Sequence, residues 1–195
     1  MLKSRTVAGT CQVTFRKAVL RMRLFLAVNP KESSRDRIID IIDEMKAAGV
    51  RGNFTKPENL HITLVFLGEI PPGRVGAIID AMRQVKEKPF TVRLSGIGNF
   101  SDTWWIGVEK SEPLWRLQKN LSEALSGKGF RFEKRAYRPH LTICRRPVFS
   151  DTFDINAIRS KVKPMVWDVD RFDLMLSERI DGQLKYSVLH SQTLE

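Results

Sequence analysis

A chain of 195 residues with 42% hydrophobic side chains and four tryptophans can fill the core of one domain, or of one domain built as two halves. No apolar run approaches the roughly 18 residues that span a bilayer, basic residues interrupt every apolar run near the N-terminus, and the two cysteines, Cys11 and Cys144, form neither a disulfide framework nor a metal spacing. What remains is a soluble domain for a reduced, cytoplasmic compartment, and its net charge of +11 points to a polyanionic partner, nucleic acid first.

Residues 1–21 hold Lys3, Arg5, Arg16, Lys17 and Arg21 without an acid and show no periodicity, so they are expected to form a disordered basic extension to a domain over 22–195. Met22 opens an apolar strand through Val28, which Asn29-Pro30 ends. Ser33 or Ser34 is the expected cap of a helix carrying Ile38, Ile41, Ile42 and Met45 and stopped by Gly49. Residues 50–58 read as loop and 59–69 as a strand. After Pro71-Pro72-Gly73 a second helix is expected over 74–87, with Val75, Ile78, Ile79 and Met82 inside. Two strands, 90–98 and 103–109, flank a turn at Asn99–Asp102. Ser111 and Pro113 start a third helix, which carries Leu114, Leu117, Leu121 and Leu125 and ends at Gly127 and Gly129. A strand at 139–145, a short helix near 154–161 and strands at 166–177 and 183–190, turned by Asp181-Gly182, complete the chain. This order, β-α-β-α-β-β-α-β-(α)-β-β, predicts an α+β fold with antiparallel sheets. No GxGxxG and no Walker loop occurs, which counts against a nucleotide-cofactor fold.

Two strands carry the chemistry. In Asn59-Leu-His-Ile-Thr-Leu-Val-Phe-Leu-Gly68, alternation sends Leu60, Ile62, Leu64 and Phe66 to the core, and His61, Thr63 and Val65 to the other face. His61 and Thr63 then lie about 7 Å apart along the strand. In Pro139-His-Leu-Thr-Ile-Cys-Arg145, Leu141 and Ile143 face one way, His140 and Thr142 the other. Either pair alone reads as polar residues on an exposed strand face. Two copies among three histidines, each preceded by a strand and a long helix, read instead as a degenerate internal duplication whose facing lobes share one cleft.

A histidine pair holds one proton and one vacancy near neutral pH, which is what in-line displacement at a phosphodiester needs: a base for the attacking water and an acid for the departing ribose oxygen. Each Thr hydroxyl can donate to a non-bridging phosphate oxygen, where charge grows in the transition state. A hydrolytic zinc site wants three protein ligands. Two strand histidines without an acid at a matching offset, and a third, His190, expected at the surface, fit one poorly. Residues 128–146 add Lys128, Arg131, Lys134, Arg135, Arg138, Arg145 and Arg146 against the single acid Glu133, with Phe130, Phe132 and Tyr137 between them. Such a stretch suits phosphates and stacked bases, or is a solvated charged loop.

In Met22-Arg-Leu-Phe-Leu-Ala-Val28, Trp104-Trp-Ile-Gly107 and the two His-x-Thr strands, the chain from Met22 onward resembles the RNA 2′,3′-cyclic phosphodiesterases, also called 2′-5′ RNA ligases, of the two-histidine phosphoesterase superfamily. The resemblance implies a bilobal α+β fold: two antiparallel sheets related by a pseudo-two-fold, helices outside, a central cleft. It implies hydrolysis of RNA 2′,3′-cyclic phosphate ends to 2′-phosphomonoesters without metal or cofactor. His61 is then the proton donor to the leaving 3′ oxygen and His140 the acceptor from water, with Thr63 and Thr142 holding the phosphate. Arg145 matches a basic residue that relatives place near the substrate. Strict alternation puts it on the core side, and it reaches the cleft only if its strand ends or bulges. Phe25 and Trp105 are candidates for stacking on bases, with core packing as the other role for each. The implied partner is RNA with cyclic-phosphate ends, tRNA halves among them, acted on by a monomer that binds no membrane. The alternatives are action on 2′-5′ linkages or ligation of tRNA halves and, in another class, a non-catalytic RNA-binding module.

Overall fold

The computed structural model describes residues 20–132, 136–151 and 153–195. The basic extension, apart from its last two residues, lies outside the described residues, as do Glu133, Lys134 and Arg135 of the basic segment. In chain order the elements are β1 (Met22–Val28), α1 (Glu32–Ala47), β2 (Arg51–Phe54), β3 (Ile62–Ile70), α2 (Val75–Gln84), β4 (Phe90–Phe100), β5 (Thr103–Val108), α3 (Glu112–Gly127), β6 (His140–Val148), α4 (Ile155–Lys161), β7 (Met165–Val169), β8 (Arg171–Ile180) and β9 (Gln183–Thr193). The strands run β7-β4-β5-β6-β3-β1-β8-β9, with β2 added to β6, and every pairing is antiparallel.

The architecture is α+β, and two lobes are visible in the sheet order. One is β7-β4-β5-β6 with β2, packed by α1 and α4; the other is β3-β1-β8-β9, packed by α2 and α3. They meet at one backbone pairing, Ile62 with Leu141, so the two sheets run on as a single curled nine-stranded sheet. The helices cover one face. Ile38, Ile41, Ile42 and Met45 of α1 and Leu114, Leu117, Leu121 and Leu125 of α3 recur at helical spacing and are buried there. β1 is buried on both faces: Leu24, Leu26 and Val28 join that core, while Phe25 and Ala27 pack with Met175 and Tyr186 on the opposite face, where the cleft lies. This is why its sequence is a near-continuous apolar run.

Strict alternation fails at two places that matter. Against β1, Thr63 pairs with Ala27 and Val65 with Leu26, and Phe66 pairs with Phe25 and Gly68 with Leu24; Leu64 and Leu67 are extra residues on β3. Leu64 and Val65 are both buried, and Phe66, expected in the core, is 46% exposed. Against β5, Cys144 pairs with Trp104 but Thr142 pairs with Trp105, so Ile143 is extra on β6. A bulge of this kind resets side-chain parity. Cys144 therefore turns into the core, fully buried, although it shares nominal parity with His140, and Arg145 turns out.

Other expectations shift for local reasons. The stretch 50–58 contains a strand after all: β2 is held by pairing with β6 despite the sequence Arg-Gly-Asn-Phe, and a Cβ on Gly52 would lie 2.8 Å from Cys144 Sγ. The helix cap falls at Lys31 rather than Ser33 or Ser34, and Ser34 is buried in the first turn. The single strand expected at 166–177 is two, because β7 pairs with β4 in one lobe and β8 with β1 in the other. Asp181 (φ 51°) and Gly182 (φ 75°) make the final hairpin turn with both residues at positive φ, as that sequence favours.

Candidate active site

The pairing of Ile62 with Leu141 organises the site. Antiparallel register carried one residue to either side sets His61 across from Thr142 and Thr63 across from His140. All four then lie on the face opposite the buried Ile62 and Leu141. The two histidines occupy diagonal corners of an oblong and the two threonines the other corners, with the pseudo-two-fold through its centre. Diagonal neighbours of this kind are about 7–8 Å apart, so a phosphate over the centre would have one imidazole on each side.

Each ring is fixed from behind in the same way. His61 Nδ1 donates to the carbonyl of Asn59 at 2.7 Å, and His140 Nδ1 donates to the carbonyl of Arg138 at 2.7 Å. A carbonyl only accepts, so in each neutral imidazole Nδ1 carries the proton and Nε2 is the free base. The Thr63 hydroxyl donates to His61 Nε2 at 3.0 Å. Aromatic rings wall both histidines. Phe25 and Tyr186 lie 4.8 and 5.2 Å from His61 between ring centroids, and Phe100 and Trp105 lie 5.1 and 6.3 Å from His140.

Burial is the main electrostatic fact. It pushes His61 down to about 4, opposed by the Asn59 carbonyl and reinforced by the positive charges of His140 and Arg145. His140 is lowered as well, first by burial and then by Arg145, with the Arg138 carbonyl opposing. Both imidazoles are therefore neutral at pH 7 while the cleft is empty. An anionic phosphate between them acts the other way and favours a proton on the pair.

Of the stacking candidates, Phe25 is 3% exposed and packs against both His61 and Tyr186, so it backs the histidine and offers no face to a base. Trp105 is half-buried. Its indole lies against two glycines, since a Cβ on Gly98 would sit 2.5 Å from Cζ2 and one on Gly107 would sit 3.3 Å from Cζ3. That close approach is what places it beside Phe100 and His140. Arg145 is exposed; its guanidinium donates to Thr103 Oγ1 at 3.0 Å, and its charge is felt at His61, His140 and Tyr186. Of the aromatics of the basic segment, Phe130 and Tyr137 are held by local contacts. Phe130 is buried under the Arg74 guanidinium, and Tyr137 donates its hydroxyl to the Thr63 carbonyl at 3.2 Å. Cys144 is packing: burial pushes its thiol up to about 11. His190 is half-buried on β9 rather than at the surface.

Three residues that the sequence did not single out bear on the site. Tyr186 and Phe100 come from distant strands. Asn59 is 5% exposed, and its side chain is a clamp: Nδ2 donates to the Leu184 carbonyl at 2.9 Å and Oδ1 accepts from the Tyr186 amide at 2.9 Å. Asn59 thus holds β9 with its side chain and His61 with its main chain. The shared offset, two residues before each histidine, was the only signal in the sequence, and it marks a carbonyl rather than a side chain.

A curled antiparallel sheet of two lobes with a His-x-Thr strand from each defines the two-histidine phosphoesterase class. Residues 30–181 match the family model of the 2′-5′ RNA ligase superfamily, and the chain belongs to that superfamily. It is 30% identical over 181 residues to an RNA 2′,3′-cyclic phosphodiesterase of Thermotoga maritima, covering 89% of this chain and 96% of the relative. It is 38% identical over 130 residues to a protein of the same name from Archaeoglobus fulgidus, covering 64% of this chain and 72% of that one. The fold is also that of E. coli LigT complexed with 3′-AMP, with a TM-score of 0.75, 25% identity, and coverage of 90% of this chain and 99% of LigT. No helix among the described residues is long and apolar enough to cross a membrane.

Proposed function

We propose that this protein hydrolyses the 2′,3′-cyclic phosphate at RNA 3′ ends to a 2′-phosphomonoester, the activity that the names of its curated relatives carry. The observation that supports it is the diagonal placement of the two histidines about the Ile62–Leu141 pairing. His140 takes a proton from water as its oxygen attacks phosphorus; the bond from phosphorus to O3′ breaks, and His61 gives its proton to O3′. Thr63, Thr142 and Arg145 stabilise the charge that gathers on the non-bridging oxygens. His61 ends neutral and His140 charged, and exchange with solvent restores the starting state. A bound phosphate anion favours uptake of a proton from solvent by the pair, and so gives His61 the proton that it lacks in the empty cleft. In this reading residues 22–195 form one bilobal catalytic domain, monomeric and cytoplasmic, that needs no metal and meets RNA ends such as those of tRNA halves.

The test is turnover of a 2′,3′-cyclic mononucleotide in excess chelator, followed by a substrate whose 3′ oxygen is replaced by a leaving group that needs no proton. His61→Ala is expected to be inactive on the first substrate and largely rescued on the second, and His140→Ala inactive on both. The opposite pattern would exchange the two roles. Equal loss without rescue would leave the histidines as phosphate binders only.

A further inference from the structure

From Thr63 and His140 a cavity of about 1040 Å³ opens between β3 and α3. Pockets that enclose one small organic ligand run from about 300 to 1,000 Å³, so this one is larger than a single nucleotide requires. Its walls are aromatic: Phe66, Phe100, Phe132 and Tyr137 line it, facing Gln118 and Ser122 of α3. Among the described lining residues Lys119 stands 3.9 Å from Glu123 on the same helix, and Arg138 is the cation that this pair leaves over. Such a wall suits nucleobases better than a run of phosphates.

Phe66 is the telling residue. Alternation would bury it; the bulge at Leu64 turns it out into the cavity, 46% exposed, with the Arg23 guanidinium 4.7 Å from its ring centre. The same device on β6, the extra residue Ile143, turns out Arg145. Both residues stand five places after their histidine, so the duplicated backbone offers one slot twice. One slot holds a guanidinium for phosphate and the other a ring. Phe66 is three residues beyond Thr63, roughly 7–10 Å along the strand from the phosphate site.

We propose that this groove holds the nucleotide 5′ to the cyclic end, with its base stacked on Phe66, so that the preferred substrate is an oligonucleotide end rather than a mononucleotide. The proposal rests on the hydrolytic reading above for the position of the phosphate. The experiment compares kcat/KM for a 2′,3′-cyclic mononucleotide and a cyclic-ended trinucleotide, in the wild type, Phe66→Ala and Phe66→Leu. In parallel, Kd is measured for the unreactive 2′-phosphate of each. The wild type is expected to prefer the trinucleotide by on the order of 10-fold or more, in kcat/KM and in Kd, the effect of one stacked base. Both variants are expected to lower the trinucleotide values at least about 10-fold more than the mononucleotide values. Phe66 is exposed, so neither variant opens a core cavity, and Leu keeps the apolar bulk without the ring face. A wild-type preference near one, equal losses on both substrates, or full activity in Phe66→Leu would each overturn the proposal. If neither substrate turns over but the trinucleotide still binds tighter in a Phe66-dependent way, the groove assignment stands and the hydrolytic reading falls.

Discussion

His61 makes the stability of the fold depend on pH in a calculable way. Burial holds its folded-state value at about 4 against an ordinary 6.5. The unfolded chain therefore takes up this proton first. Well above pH 6.5 neither state is protonated here and nothing is lost; as pH falls through 6.5 towards 4, protonation favours the unfolded chain. At ~1.4 kcal/mol for each unit of difference, the full effect is about 3 kcal/mol, and about 2–3 kcal/mol of it is reached by pH 4.5. That is a large part of the 5–15 kcal/mol typical of a domain. The assay is urea denaturation at pH 7 and pH 4.5 for the wild type and His61→Gln, which cannot titrate but shares every other group. The wild type is expected to lose about 2–3 kcal/mol more than the variant between the two pH values. Inorganic phosphate is expected to bind the protonated pair and so to recover part of the loss. Equal losses in the two proteins, or a His61 ring that titrates near 6.5 by NMR in the free protein, would refute the reasoning.

The remaining predictions concern rate and assembly. Both histidines are lowered in the empty cleft, so the singly protonated pair is commonest below pH 6.5; the maximum of kcat/KM is expected there, with limbs that belong to the pair and not to either residue. His61→Ala and His140→Ala should each reduce kcat by roughly 10²–10⁴-fold, and Thr63→Ala and Thr142→Ala by on the order of 10–100-fold, in steady-state assays on a cyclic mononucleotide. Asn59→Ala leaves the Leu184 carbonyl and Tyr186 amide unpaired, at about 1–3 kcal/mol each; urea melts should show the loss, with Asn59→Asp intermediate because it keeps the acceptor for Tyr186. Removal of residues 1–21 takes away five positive charges, and should weaken binding of long RNA and flatten its salt dependence while cyclic mononucleotide turnover persists.

The paired motifs were legible because a strand period and a polar-apolar alternation need nothing beyond neighbours in sequence. The same is true of the helix faces Ile38–Met45 and Leu114–Leu125 and of the Asp181-Gly182 turn. The bulges were not legible, because an extra residue exists only relative to a partner strand: Leu64 is extra against β1 and Ile143 against β5. Strict parity therefore put Phe66 in the core and Arg145 beside it, and both face out. The clamp at Asn59 was hidden for a similar reason, since its partners Leu184 and Tyr186 lie about 125 residues away. The division between β7 and β8 did leave a trace: Met165, Trp167 and Val169 join the helix-covered core on odd numbers, Phe172 and Leu174 on even ones. That change of phase at Asp170 marks where the chain leaves one lobe for the other.

The place of β1 between β3 and β8 has a consequence for how the chain assembles during synthesis. Leu24 is made early, and its partner on β8 is Leu176. A ribosome adding about 5–20 residues per second needs on the order of ten seconds or more to cover that interval. Throughout it β1, apolar on both faces, has one edge unpaired and open to any other strand. β9 follows β8, and with it come Tyr186 against the His61 ring and the backbone groups that Asn59 clasps. A nascent chain halted just before Leu184 would already contain both His-x-Thr strands and would still lack the strand that holds the first histidine in place.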